Sequence, residues 1–146
     1  MKVGIACDHR GYKVKEKLIP YLEKKGYEVV DYGTDSTELV DYSDYGIKLG
    51  EAIKKKEVEL GIAICGTGIG ISIACNKVKG VRCAKVSNAK EAKETRIHNN
   101  ANVVAFSARM FMFEIKDIVD NFLKTPYKEE ERFERRINKI SKYEGK

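Results

Sequence analysis

Apolar residues along the chain follow two alternating rhythms. Short runs rich in β-branched and small apolar residues, KVGIA at 2–6, YEVVDY at 27–32, LGIAIC at 60–65, VRCAKV at 81–86 and NVVAF at 102–106, predict five strands. Between them the spacing turns helical: Val14, Leu18 and Leu22; then Tyr45, Leu49, Ala52 and Ile53; then Ile115, Ile118, Val119 and Phe122. Strands apolar on both faces and separated by single helices predict a parallel sheet covered on both sides. That is an α/β fold, a three-layer α/β/α sandwich, with right-handed crossovers. Pro126 predicts a helix stop at Thr125, and Phe133, Ile137 and Ile140 predict an extra C-terminal helix with no strand after it. Such a helix either packs on its own domain or reaches to a partner subunit.

Length and composition narrow the class. The 146 residues fit a single domain spanning 1–146, and a domain of this size buries about 68–70% of the surface its unfolded chain exposes. Hydrophobic residues at 42% and charged residues at 34% are those of a soluble globular chain. No apolar run approaches a membrane span, and the opening MKVGIACDHRG lacks the longer apolar segment and cleavage site of a signal peptide. The expectation is a cytoplasmic protein with no membrane partner.

The net charge of +6 raises nucleic acid as a partner. The lysines, however, are interspersed with glutamates, as in KVKEKLIPYLEKK and KEEERFERR, the pattern of solvated helix faces. No nucleic-acid partner is expected, and a basic surplus also suits a small anionic substrate. Four cysteines, at 7, 65, 75 and 83, have no C-x-x-C spacing and are joined by only two histidines. Neither a zinc ribbon nor a disulfide framework is suggested, so reduced thiols are the default. Asp8 beside His9 has a rival reading as a metal pair, but two ligands do not make a site.

In open parallel sheets ligands bind outside the carboxyl ends of the strands. Reactive or unusual groups stand after strand one (Cys7-Asp8-His9-Arg10-Gly11), after strand two (Gly33-Thr34, then Asp41-Tyr42), after strand three (Cys65 to Gly70) and before strand five (His98-Asn99-Asn100). Gly66-Thr67-Gly68-Ile69-Gly70 joins a strand to a helix, where glycines let the backbone approach a ligand and the helix N–H groups can receive an anion. It is not a P-loop, since no Gly-Lys-Ser/Thr follows, and it is not the first βα turn that a dinucleotide fingerprint requires. A phosphatase loop would need an arginine six residues beyond Cys65, where Ile71 stands.

An ordinary thiol leaves roughly 3% thiolate at pH 7, and a helix N-terminus increases that share. A base of this strength suits proton abstraction beside a carbonyl, and neighbouring N–H groups could stabilise an enediolate oxygen, at about 2.7–4 kcal/mol per donor. Two readings stand on spacing alone: base and oxyanion donors from one turn, or a cysteine that merely ends a buried strand before a tight turn.

The combination Gly4-x-x-Cys7-Asp8-His9-x-Gly11, Asp41-Tyr42, Cys65-Gly66-Thr67-Gly68-x-Gly70-x-Ser72-x-Ala74-x-Asn76-Lys77 and His98-Asn99 resembles the type B ribose-5-phosphate isomerases. The resemblance covers nearly the whole chain, down to Arg132-x-x-x-Arg136, and the CGTG-G-S-A-NK stretch is its specific part. It implies a metal-independent aldose–ketose isomerase of the pentose phosphate pathway, an intramolecular oxidoreductase working through an enediolate without a cofactor. It also implies a five-stranded Rossmann-like sheet in the order 2-1-3-5-4, and a homodimer whose sites use residues of both subunits.

By position, the resemblance makes Cys65 the base and His98 the ring opener. Thr67 would hold or protonate sugar oxygens, and Asp8 would orient the ring oxygens. His9, Arg132 and Arg136, with Arg109 in addition, would contact phosphate. The backbone from Gly68 through Ile69 and Gly70 to Ser72 would supply the anion hole, with Gly66 and Asn99 beside the substrate. Tyr42 would stack on or bond the sugar, or else cap the second helix.

The residues are compatible with these roles. Arg132 and Arg136 are one helical turn apart, so both guanidinium groups can fork onto one phosphate. Their alternative is a solvated face paired with Glu129, Glu130 and Glu131. An imidazole ordinarily titrates near neutrality, as furanose opening requires. Cys75 and Cys83 read as small buried hydrophobes, and Cys7 is given no chemistry. Relatives acting on allose 6-phosphate or galactose 6-phosphate, and a non-catalytic sugar-phosphate sensor on the same fold, remain the rival functions.

Overall fold

The computed structural model describes residues 1–145. Strands β1 (Lys2–Cys7), β2 (Glu28–Asp31), β3 (Leu60–Cys65), β4 (Cys83–Lys85) and β5 (Val103–Ser107) alternate with helices α1 (Tyr12–Lys24), α2 (Tyr42–Lys54), α3 (Ile69–Asn76), α4 (Ala89–Asn99) and α5 (Met112–Lys124). A last helix, α6 (Glu131–Glu144), follows α5 with no strand between. All pairings are parallel, in the order β2-β1-β3-β5-β4, the order the resemblance implied. α5 ends at Lys124, with Thr125 as C-cap ahead of Pro126.

The two faces of the sheet are sized differently, and this places Cys65. Ile5, Ile62, Ile64, Val104 and Phe106 point to one face, where Leu18 and Leu22 of α1 and Ile115, Ile118 and Phe122 of α5 cover them. Burying each such side chain contributes roughly 1.5–3 kcal/mol. The opposite face carries a stripe of small residues, Ala6, Ala63 and Ala105, which are direct neighbours in register. Small side chains there let α2 and α3 lie close to the sheet, and Gly46 of α2 seats directly against Ala74 and Ile71 of α3. Cys65 belongs to this face, buried beside Ile71 and Cys75.

Two expectations change. The run at 81–86 forms only the three-residue β4, because this edge strand has a partner on one side alone and its flanks are tied elsewhere: Val81 N–H donates to Val78 O in a turn. On α6, Phe133 is buried and Ile137 half-buried, but Ile140 stays 56% exposed. The helix rests on the body at its first turn through Phe133 and near its end, where Glu144 Oε1 accepts from Gly80 N–H at 2.6 Å. The face between spans a cavity.

Candidate active site

β3 delivers Cys65 to the carboxyl edge of the sheet, and the chain turns at once into α3. Gly68 is the pivot: its φ is +79°, and a Cβ there would lie 2.6 Å from the Phe106 carbonyl carbon. Only glycine meets both conditions. The turn aims the Gly68 N–H at Cys65 Sγ, 3.2 Å away, and an N–H donor at a helix start stabilises negative charge on sulfur. Thr67 Oγ1 accepts from Ile69 N–H at 3.1 Å.

Ser72 spends both donors inside the turn, its hydroxyl on Ile69 O at 2.6 Å and its N–H on Gly68 O at 3.3 Å. The anion hole expected across Gly68 to Ser72 therefore narrows. Among the described residues, only the Gly70 and Ile71 N–H groups in this stretch have no hydrogen-bond partner.

Neighbouring strand ends bring up the other groups. Cys7 is in register with Ile64, and Asp8 N–H donates to Ile64 O at 3.2 Å, so Asp8 stands beside the bend. Its Oδ1 accepts from the N–H groups of Arg10 and Gly11 at 2.9 and 3.2 Å, which fixes the carboxylate. His9 Nδ1 lies 3.2 Å from Val40 O and 3.3 Å from Val40 N, tying it to the loop ahead of α2. Tyr42, the first residue of α2, lays its ring on Gly70, where a Cβ would come within 2.7 Å of Cζ. Ser107, in register with Cys65, donates to Gly66 O at 2.7 Å and accepts from Arg109 N–H at 3.0 Å. Arg109 is thus carried at the edge of the same bend.

The other cysteines are chemically quiet. Burial pushes the Cys7 thiol up to about 12 from 9.0, keeping it protonated. The Cys83 thiol is likewise raised, by its hydrogen bond with Cys75 and by burial. Cys83 is only half-buried and lines a cavity, not the fully buried hydrophobe its strand suggested.

His98, Asn99, Arg132 and Arg136 are elsewhere. They line a cavity of about 720 Å³ between α4, α6 and the start of β4. α4 begins at the carboxyl end of β4 and runs back over 11 residues, about 16 Å at 1.5 Å per residue. His98 and Asn99 therefore lie towards the amino ends of the strands, away from Cys65. Contacts agree: Arg82, just before β4, donates to Asn99 O at 3.0 Å. The His98 ring leans on Phe133, centroids 5.1 Å apart and planes tilted by 41°. Arg132 pairs with Glu130 at 3.0 Å, as the solvated-face alternative has it, and also lines the cavity with Arg136, whereas Arg135 pairs with Glu131 and does not line the cavity.

Sequence reasoning passed over Arg10, whose δ carbon covers Gly66, and Arg82 and Asn76, which line the cavity. The signal for Arg82 and His98 was available: a residue just before a parallel strand lies at the opposite edge of the sheet from one just after it.

A thiol at a strand-to-helix bend, beside a fixed carboxylate and a histidine, is the setting into which the comparisons fit. The profile of the Ribose/Galactose Isomerase family matches residues 3–140. The chain belongs to this family. Over 144 residues it is 41% identical to the ribose-5-phosphate isomerase B of Escherichia coli strain K12, covering 98% of this chain and 96% of that one. A Clostridium thermocellum ribose-5-phosphate isomerase B structure superposes with a TM-score of 0.97 at 46% identity, covering 99% and 98% of the two chains. The Mycoplasma genitalium enzyme with bound ribulose-5-phosphate gives a TM-score of 0.94 at 40% identity, covering 99% and 97%. Like its family, the chain is a sugar-phosphate isomerase with an α/β fold. Among the described residues, no helix is long and apolar enough to cross a membrane.

Proposed function

We propose that the chain interconverts ribose 5-phosphate and ribulose 5-phosphate, with Cys65 carrying the proton between the first two carbons of the open-chain sugar. The thiolate removes the C2 proton of the aldose, the electrons move onto the carbonyl to give an enediolate, and the proton returns at C1. The observation that carries this reading is the Gly68 N–H aimed at Cys65 Sγ, with the spare Gly70 and Ile71 N–H groups two and three residues further on. Base and oxyanion donors then share one turn. Asp8 orients sugar hydroxyls, Thr67 exchanges a proton with the sugar oxygens, and Tyr42 covers the glycine turn from α2.

The second half of the chemistry belongs to the cavity. His98 opens the furanose, Arg132 and Arg136 hold phosphate, and Asn99 stands beside the sugar. Within one chain these groups sit towards the far edge of the sheet from Cys65, so the working unit is a homodimer with two shared sites. Helix α3 supplies the geometry. It starts at the thiol bend and ends at Asn76, which lines the cavity, with Ile69 and Ile73 exposed at 53% and 56% on one face. An antiparallel two-fold crossing of α3 against its copy buries those isoleucines. It also sets each thiol bend opposite the partner's cavity, with His9 and Arg109 joining the partner's arginines around the phosphate.

The four free cysteines favour a reducing compartment, the cytoplasm, and the chemistry as written needs no metal or cofactor. Turnover of ribose 5-phosphate, allose 6-phosphate and galactose 6-phosphate, each with a chelator present, tests the reading. Preferred turnover of the pentose is expected, unchanged by the chelator. A preference for either hexose would move the substrate to the six-carbon class. Binding of all three with no turnover would make the protein a sensor.

A further inference from the structure

Arg82 stands in the turn leading into β4, and its side chain reaches under the end of α4. Nε donates to Asn99 O at 3.0 Å and to Asn100 O at 3.2 Å, and Nη2 donates to Asn100 O at 2.9 Å. Carbonyls in the last turn of a helix have no partner within it, and Asn100, at φ 44°, ends this one. The arginine is itself anchored. Its backbone N–H donates to Asn102 Oδ1 at 2.8 Å, and its carbonyl accepts from Asn102 N–H at 3.0 Å.

Half-burial weakens the hold of this guanidinium on its proton. A cation placed at such a cost is retained where it has carbonyls to satisfy.

His98 depends on that turn. Among the described residues its ring has no hydrogen-bond partner, and the tilted contact with Phe133 is its one ring contact. Where the imidazole points is therefore set by where the last turn of α4 lies. Arg96 grips the same turn from the other side, through Ala101 O at 2.6 Å, Asn100 Oδ1 at 3.0 Å and Thr125 O at 3.2 Å, with its guanidinium over the Phe122 ring. Of the two arginines, only Arg82 lines the cavity shared by His98, Arg132 and Arg136.

We infer that Arg82 is the positioning residue for His98: it pins the last turn of α4 so that the imidazole meets the ring oxygen of a closed sugar. This rests on the isomerase reading above and on His98 acting in ring opening. It separates two steps that an ordinary assay merges. Ribose 5-phosphate is mostly a closed ring and needs His98, whereas ribulose 5-phosphate is open and can exchange its C1 proton with solvent through Cys65 alone.

The test uses the full-length Arg82→Gln and Arg82→Lys variants, with His98→Gln as reference. Three quantities are read: kcat and KM for ribose 5-phosphate, deuterium uptake from D2O at C1 of ribulose 5-phosphate, and thermal melting. In Arg82→Gln, kcat for the closed aldose should fall by about 10-fold or more, with KM and deuterium uptake within about 3-fold of the unsubstituted protein. Arg82→Lys, which keeps one donor and the charge, should fall between the two. Should the Gln variant fail to fold, the Lys variant carries the same comparison.

A raised KM with kcat retained would make Arg82 a phosphate ligand and overturn the inference. Equal loss of turnover and exchange, or no loss of either, would overturn it too. His98→Gln separates this inference from the reading beneath it. If that variant shows the split and the Arg82 variants do not, only the role of Arg82 falls. If His98→Gln shows no split, the ring-opening assignment falls, and the role of Arg82 with it.

Discussion

The bend after β3 and the cavity beneath α6 hold their reactive groups by opposite means. At the bend nearly everything is backbone: an N–H faces the sulfur, strand register puts Asp8 and Ser107 beside it, and a glycine is the hinge. In the cavity the groups are side chains of α4 and α6: His98, Asn99, Arg132 and Arg136 are all exposed, and Arg82 holds the end of α4 through Asn99 O. The difference teaches that main chain fixes one half of the proposed site, while side chains shape the other. A buried turn cannot easily relax, whereas long side chains around an open volume of about 720 Å³ are ordered by what enters it.

Four expected outcomes break or sharpen that contrast, the greatest first. Cys65→Ala should reduce isomerisation by about 10²–10⁴-fold, leaving the melting temperature and phosphate-ligand binding nearly unchanged; steady-state turnover near the original value would remove the sulfur from the reaction. Replacing both Arg132 and Arg136 with alanine should act mainly on binding. Each charge-assisted hydrogen bond is worth about 1.5–3 kcal/mol, so KM should rise by about 10²-fold or more while kcat falls little. An unchanged KM would return Arg132 and Arg136 to a solvated face.

Mixing is the direct test of whether the halves meet across subunits. When inactive Cys65→Ala and His98→Gln chains are co-refolded at equal amounts, about half the dimers are mixed, and one site in each mixed dimer is intact. About a quarter of the original activity should return. None would return if the thiol and the imidazole act within one chain.

The smallest effect concerns the other thiol at the edge of the sheet. Burial raises Cys7 to about 12, above its ordinary 9.0, so its contribution to stability is complete at neutral pH. Between about pH 9 and 12 an unfolded chain releases a proton that the folded one keeps, and stability falls as pH rises, by up to about 1.4 kcal/mol per pH unit. Cys7→Ala should flatten that alkaline loss in urea melts without moving the pH dependence of turnover. A shift in the latter would bring Cys7 into the reaction.

Much of this organisation could be read from residue order. Both kinds of core position, Ile62 and Ile64 on one face and Ala63 and Cys65 on the other, lie in one unbroken apolar run, which is why a doubly covered sheet was legible. The Gly68 turn was legible as well, because nothing else satisfies a positive φ against the Phe106 backbone. What stayed hidden depends on distance through space. The length of β4 is set by its single neighbour, and the separation of His98 from Cys65 follows from the direction of α4. The grip of Arg82 on Asn99 and Asn100 joins residues 17 and 18 positions apart, with no periodic trace.

The bond from Gly68 to the sulfur has a consequence for how such a protein can vary. Its donor is main chain, so as long as Cys65 is kept, drift at surrounding positions leaves the N–H facing the proposed base. Retuning must come through the contact with Phe106 that dictates glycine at that point. The main chain of a neighbouring strand, rather than any side chain, thereby guards the surroundings of the sulfur.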